Sequence, residues 1–219
     1  MELTTLQKII LWLIPMIFAI TVHEVAHGYV ANKLGDPTAK MMGRLTLNPI
    51  KHIDLVGTII IPGLLLRLGG FFFGYAKPVP VDWRNLRHFR RDMVLVALAG
   101  PLANLLMAFI WAAVTKFSIV IYSTQSPYWG TILGTMSSMG VAINIMLLVL
   151  NLIPIPPLDG SRVVMGFLRG QAALNYAKIE PYGFFILLGL LALGFLSHIM
   201  TPFVMFFTQI INQLFGIGL

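Results

Sequence analysis

Long apolar runs alternate along this chain with short stretches that hold nearly all of its charge. The first run, residues 9–31, matches the roughly 20 helical residues needed to cross a hydrocarbon core and predicts a helix, with Pro15 tolerated inside a membrane segment. Residues 32–53 are more polar, with Lys33, Lys40, Arg44 and Lys51 against Asp36. Within them, Ala39 to Asn48 mixes β-branched and long side chains beside Gly43 and Pro49, a pattern that suggests a short membrane-associated strand or β-hairpin. Residues 55–75 are apolar again but contain Pro62, Arg67 and the pair Gly69-Gly70. Both flanks of that run are basic, and the positive-inside rule puts both on the cytoplasmic side. A re-entrant or broken-helix hairpin satisfies this where a single crossing does not.

Residues 93–116 predict the next spanning helix, and 130–153 a helix that returns. The polar turn between them, residues 118–128, lacks Lys and Arg and is expected on the outer side. Pro154, Pro156 and Pro157 then stop the helix and hold the backbone extended up to Asp159. Arg162, Arg169 and Lys178 bring the chain back to the cytoplasmic side, and residues 182–217 read as a C-terminal helical hairpin ending there. The expectation is therefore a single all-α polytopic membrane domain over 1–219. It has about five transmembrane helices, a re-entrant apolar hairpin and a short β-hairpin.

Composition sharpens this picture. With 58% hydrophobic and 11% charged residues, the chain is no ordinary soluble domain. Its net charge of +7 is clustered in short segments, which points to the anionic face of a lipid bilayer and not to nucleic acid. The absence of cysteine excludes thiolate metal sites, disulfides and cysteine nucleophiles. The first apolar run has no small-residue cleavage site behind it, as a signal peptide would.

That first run also carries the chemistry. His23 and His27 stand at i and i+4, on one helix face, so both can ligate one ion. Glu24 follows the first histidine, where it can act as general base toward water at that ion. A carboxylate within a membrane helix costs roughly 2.5–3.5 kcal/mol on insertion scales, so its presence argues for function. A catalytic zinc usually takes three protein ligands and leaves a fourth position open. The third ligand must be His, Asp or Glu, and His52, Asp54, Asp159 and His198 lie in or near apolar spans. Asp92 is expected to be more exposed, beside Arg91, and His198 to fall on the outer side. Asp159 is favoured, because the proline frame presents it at a depth similar to His27. His52 and Asp54 are assigned the role of orienting a ligand or capping a turn.

The segment His23-Glu24-Val25-Ala26-His27, together with Asn151 to Gly160 ending in Leu-Asp-Gly, resembles the site-2 protease family of intramembrane zinc metallopeptidases. The resemblance extends to Gly43-Arg44-Leu45-Thr46-Leu47-Asn48-Pro49 and to Ala99-Gly100-Pro101-Leu102-Ala103-Asn104, covering helix one to about Arg162. It implies one zinc per chain on His23, His27 and Asp159, with Glu24 activating water. It implies Asn151 as a contact to substrate or oxyanion. Asn104 is open to the same role or to a polar knot at a close helix contact through Gly100. The expected partner is a transmembrane helix of another protein, unwound near the cytoplasmic face, which an edge strand along Ala39 to Asn48 would hold by strand addition. A prokaryotic cell membrane is the expected location. Oligomeric state and substrate identity do not follow from the sequence.

Two other classes fit parts of the pattern. A divalent-metal transporter shares broken helices and a polar intramembrane site, but needs no general base between its two histidines. A non-catalytic membrane scaffold has no need of Glu24 at all.

Overall fold

The computed structural model describes residues 4–52 and 77–218. The expected re-entrant hairpin at 55–75, and Asp54, lie outside the described residues. Helix α1 spans Thr5–Lys33 and opens with a capping box, in which Gln7 and Thr4 satisfy each other's backbone N–H groups. A one-turn helix α2, Thr38–Met41, follows. Two long helices, α3 (Phe89–Thr124) and α4 (Pro127–Asn151), form an antiparallel pair. Then come α5 (Asp159–Phe167), α6 (Gly170–Ala177), α7 (Gly183–Ala192) and α8 (Phe195–Phe215). Short 3-10 turns cover Pro49–Lys51, Trp83–Asn85 and Glu180–Tyr182.

Among the described residues four helices, α1, α3, α4 and α8, are long and apolar enough to cross a membrane. Lipid supplies no hydrophobic drive between such helices, so they associate through small residues and shared hydrogen bonds. The α3–α4 pair shows both. A Cβ on Gly130 would lie 2.5 Å from Tyr122 Cα, and one on Gly140 2.5 Å from the Trp111 ring. Between these contacts Thr115 Oγ1 donates to Ser137 Oγ at 3.0 Å. Helix α1 lies antiparallel to α3: Ala19 pairs with Asn104 and His27 with Val96. Its other side packs Met16 and Ala19 on Ile143 of α4. Helices α1 and α4 therefore end on the same side of the bundle, the end at which α5 begins.

Three expectations change. The segment Ala39 to Asn48 is not a strand, and no strand occurs among the described residues: its start is the α2 turn, and Gly43 turns the chain with φ +63°. The cause is Asp36, whose carboxylate accepts the Thr38 N–H (3.1 Å) and hydroxyl (2.5 Å) and so favours a helical turn. The C-terminal hairpin is also unequal. Helix α7 has 10 residues, about 15 Å of rise against the roughly 30 Å of a hydrocarbon core, and Gly194 with φ +74° ends it. Only α8 spans. It starts where Leu196 packs into the same cluster as Leu150 and ends where Lys116 Nζ reaches Gly216 O (3.4 Å) and Phe215 meets Phe109. The chain at 216–218 thus sits at the end of the bundle opposite Asp159, where a return to the Asp159 side was expected.

Candidate metal centre

The centre is built where three elements meet. His23 and His27 project from one face of α1 toward α3, and their Nε2 atoms stand 3.0 Å apart. Asp159, the first residue of α5, reaches both: its Oδ2 lies 3.2 Å from each Nε2. Asp159 arrives there because the chain folds back after α4 through tight turns, Ile155 N to Ile153 O (2.8 Å) and Leu158 N to Ile155 O (3.0 Å). Gly160 permits the fold-back, since a Cβ there would strike Leu152 O. The Tyr176 hydroxyl donates to Pro154 O and pins the same loop from outside (2.8 Å).

The hydrogen-bond pattern decides what the three side chains can do. His23 Nδ1 donates to Asn104 Oδ1 at 2.6 Å, and His27 Nδ1 donates to the Val96 carbonyl at 2.7 Å. The orientation of the Asn104 amide follows from its other contacts, because Nδ2 donates to Ala19 O (3.2 Å) and to Asn144 Oδ1 (2.9 Å). Asn144 is fixed in turn by its own bond to Gly140 O. With both Nδ1 atoms carrying hydrogen, both Nε2 atoms present lone pairs. Asp159 Oδ2 is buried and has no hydrogen-bond donor. Three lone-pair donors converge with no hydrogen between them, an arrangement that a bound cation relieves. The space is kept by Gly100, where a Cβ would run into His27 Nε2 and lie 2.7 Å from His23 Nε2. The residues therefore fit a metal ion with a His, His, Asp donor set, and these three form such a group among the described residues.

Glu24 stands apart from that group. Its Oε2 accepts the Val79 N–H at 2.7 Å, from the segment Lys77 to Asp82, which is neither helix nor strand. Asn104 is buried and its amide is fully engaged, which makes it a positioner of His23 and leaves it no group for an oxyanion. Asn151 ends α4 with its Nδ2 on Leu147 O (2.9 Å), and no described hydrogen bond ties it to the histidines. His52 accepts no part in the group: its Nε2 bonds to Thr46 O (2.8 Å) and closes the loop in front of it. His198 is exposed in the first turn of α8. Sequence reasoning missed Asn144, the Val96 carbonyl and the Val79 N–H. Only Asn144 left a trace, as a second amide in an apolar span, where polar side chains are scarce. Backbone groups leave none.

Comparison with known proteins places this geometry. The model of "Peptidase family M50" matches residues 116–194. A Bacillus subtilis (strain 168) protein named "Putative zinc metalloprotease YwhC" is 39% identical over 189 residues, spanning 86% of this chain and 83% of its own. The chain belongs to peptidase family M50. It is accordingly a zinc metallopeptidase, and its four long apolar helices make it a membrane one. A Mycolicibacterium smegmatis protein, "Putative zinc metalloprotease Rip2", is 31% identical over 176 residues, 80% of this chain and 64% of that protein. A protein of the same name from Mycobacterium tuberculosis (strain H37Rv) is 29% identical over 181 residues, 63% of its length. No solved structure matches the peptidase.

Proposed function

We propose that this peptidase is an intramembrane endopeptidase that cuts transmembrane segments of other membrane proteins near the cytoplasmic face, the chemistry of regulated intramembrane proteolysis. One observation carries the reading: three lone-pair donors, His23 Nε2, His27 Nε2 and Asp159 Oδ2, converge between spanning helices, with Glu24 next to His23 on the same helix. His27 lies six residues before the end of α1, roughly 9 Å of helix, so the centre sits inside the apolar layer and near one edge. Lys and Arg residues crowd that edge, from Lys33 and Lys40 to Arg84, Arg87, Arg90, Arg91 and Arg162, while Lys8 and Lys116 lie toward the other. This asymmetry supports a cytoplasmic site.

His23, His27 and Asp159 would hold one zinc ion. Bound there, zinc supplies a Lewis acid that lowers the pKa of water to about 7 and polarises a carbonyl. Asn104 and the Val96 carbonyl keep both imidazoles turned toward it. Glu24 takes the proton of the attacking water and returns it to the leaving amine. Asn151 donates one amide hydrogen to Leu147 O, and its second is the one it has to offer the substrate's developing oxyanion. The substrate strand must be unwound to reach these groups, because a helical peptide bond is shielded by its own hydrogen bonds.

The test reads metal content and cleavage of a model transmembrane substrate together, in detergent. Wild type should hold about one zinc per chain and cut; Glu24→Gln should keep the zinc and not cut; Asp159→Ala should lose most of both. Cleavage by Glu24→Gln would remove the base assignment. Metal binding without cleavage, joined by metal flux in liposomes, would favour a carrier.

A further inference from the structure

The Gly43-Arg44 motif and the Lys77–Val81 segment take no part in the chemistry above, yet both come to the same place. Arg44 is buried, and its Nη2 donates to Lys77 O at 3.0 Å and to Pro78 O at 3.5 Å. Lys77 N donates to His52 O (3.0 Å), and Asp82 N donates to Asp36 Oδ2 (2.8 Å), so the segment is tied at both ends. Pro78 and Pro80 have no amide hydrogen, which leaves Val79 the one donor between them, and it is spent on Glu24 (2.7 Å). This segment and the Arg44 loop sit close against α1: a Cβ on Gly28, one turn after Glu24, would lie 2.7 Å from Val79 Cγ1 and 2.6 Å from Leu45 Cδ2. Gly28 thus clears the helix face beside Glu24 for these two side chains. No hydrogen bond to Glu24 Oε1 occurs among the described residues, so one carboxylate oxygen is held and the other is free to accept a proton.

We infer that the Val79 N–H, held in place by Arg44 through the Lys77 and Pro78 carbonyls, is the positioning device of the Glu24 carboxylate. This rests on the reading of Glu24 as general base. A bond to one oxygen fixes the carboxylate's rotation and directs the free oxygen to the proton it must take. A freely rotating side chain on the same helix spends most of its time elsewhere. The two proline rings make the donor specific, since they hold the backbone extended and remove competing hydrogens.

The decisive substitution is Val79→Pro, which deletes the donor and keeps an extended backbone, read beside Val81→Pro, the same change two residues on. With a model transmembrane substrate, Val79→Pro should retain zinc and a KM within about twofold of wild type. Its kcat should fall by about 10- to 100-fold, as for loss of a hydrogen bond to a charged group. Val81→Pro should leave zinc, KM and kcat near wild type. Arg44→Gln should lower kcat in the same way, and Arg44→Lys should recover part of it. A wild-type kcat in Val79→Pro, or a parallel loss in Val81→Pro, would overturn the inference. Amide exchange gives a readout without substrate: the Val79 N–H should exchange faster in Glu24→Ala than in wild type, and an unchanged rate also overturns it. Glu24→Gln in the same series separates the two ideas. If it still cuts, the base reading fails; if it is inactive while Val79→Pro is fully active, only the positioning role fails.

Discussion

Gly100 shows how much of the centre depends on a missing side chain. Its Cα faces both imidazoles, and a single methyl there would occupy the place of their Nε2 lone pairs. Gly100→Ala should therefore weaken zinc binding at least about tenfold while the helical circular-dichroism signal persists, measured by chelator competition. Gly189→Ala is the contrasting case, because a Cβ there meets nothing and α7 should be stabilised by roughly 0.5–1 kcal/mol. Asn144 belongs to the same scale. Replacing it by Leu removes the acceptor that turns the Asn104 amide toward His23, and zinc affinity should fall about 10-fold or more with Asn104 itself unchanged. Equal affinity in wild type and Asn144→Leu would show that Ala19 O alone orients Asn104.

At the scale of elements, Asp36 joins the end of α1 to the segment that reaches Glu24. Burial works against its ionised form. Hydrogen bonds from the Asn85 and Thr38 side chains and from the Thr38 and Asp82 backbone outweigh this and hold its carboxyl below the usual range. A carboxyl with a depressed folded-state pKa contributes stability that is present above its unfolded value, about 3.9, and is lost as pH falls toward the folded value. The difference in thermal stability between wild type and Asp36→Asn should thus be full at pH 7 and narrow below about pH 4. A difference that does not change with pH would mean that the carboxylate's charge contributes nothing. The expectation of a strand over Ala39 to Asn48 failed at this same residue. Its mix of β-branched and long side chains was compatible with a strand, but a side chain three positions upstream had already committed the backbone to a turn.

For the whole molecule, the unequal α7–α8 pair sets the topology. Among the described residues, the four helices long and apolar enough to cross put Thr4 and Gly218 at one end of the bundle and Asp159 at the other. The natural absence of cysteine makes this directly measurable. Gly218→Cys and Ser126→Cys should react with a membrane-impermeant thiol reagent from one side of sealed vesicles, and Arg169→Cys from the other. Labelling of Gly218→Cys and Arg169→Cys from the same side would restore the full C-terminal hairpin.

The sequence by itself determined the membrane class, the three long apolar helices that end at Lys33, Thr124 and Asn151, and the choice of Asp159 to stand with His23 and His27. Each of these is local: hydropathy over some 20 residues marks a span, helical periodicity puts i and i+4 on one face, and three prolines stiffen a loop. Only the tertiary structure decided which oxygen faces each Nδ1, that Asn144 stands behind Asn104, and that Val79 reaches Glu24 from 55 residues away. It also decided that α7 ends after 10 residues, because an apolar stretch looks alike whether it crosses the membrane or turns at a glycine. The reason is physical. Backbone donors and acceptors are the same at every residue, so the sequence cannot mark which of them a site will use.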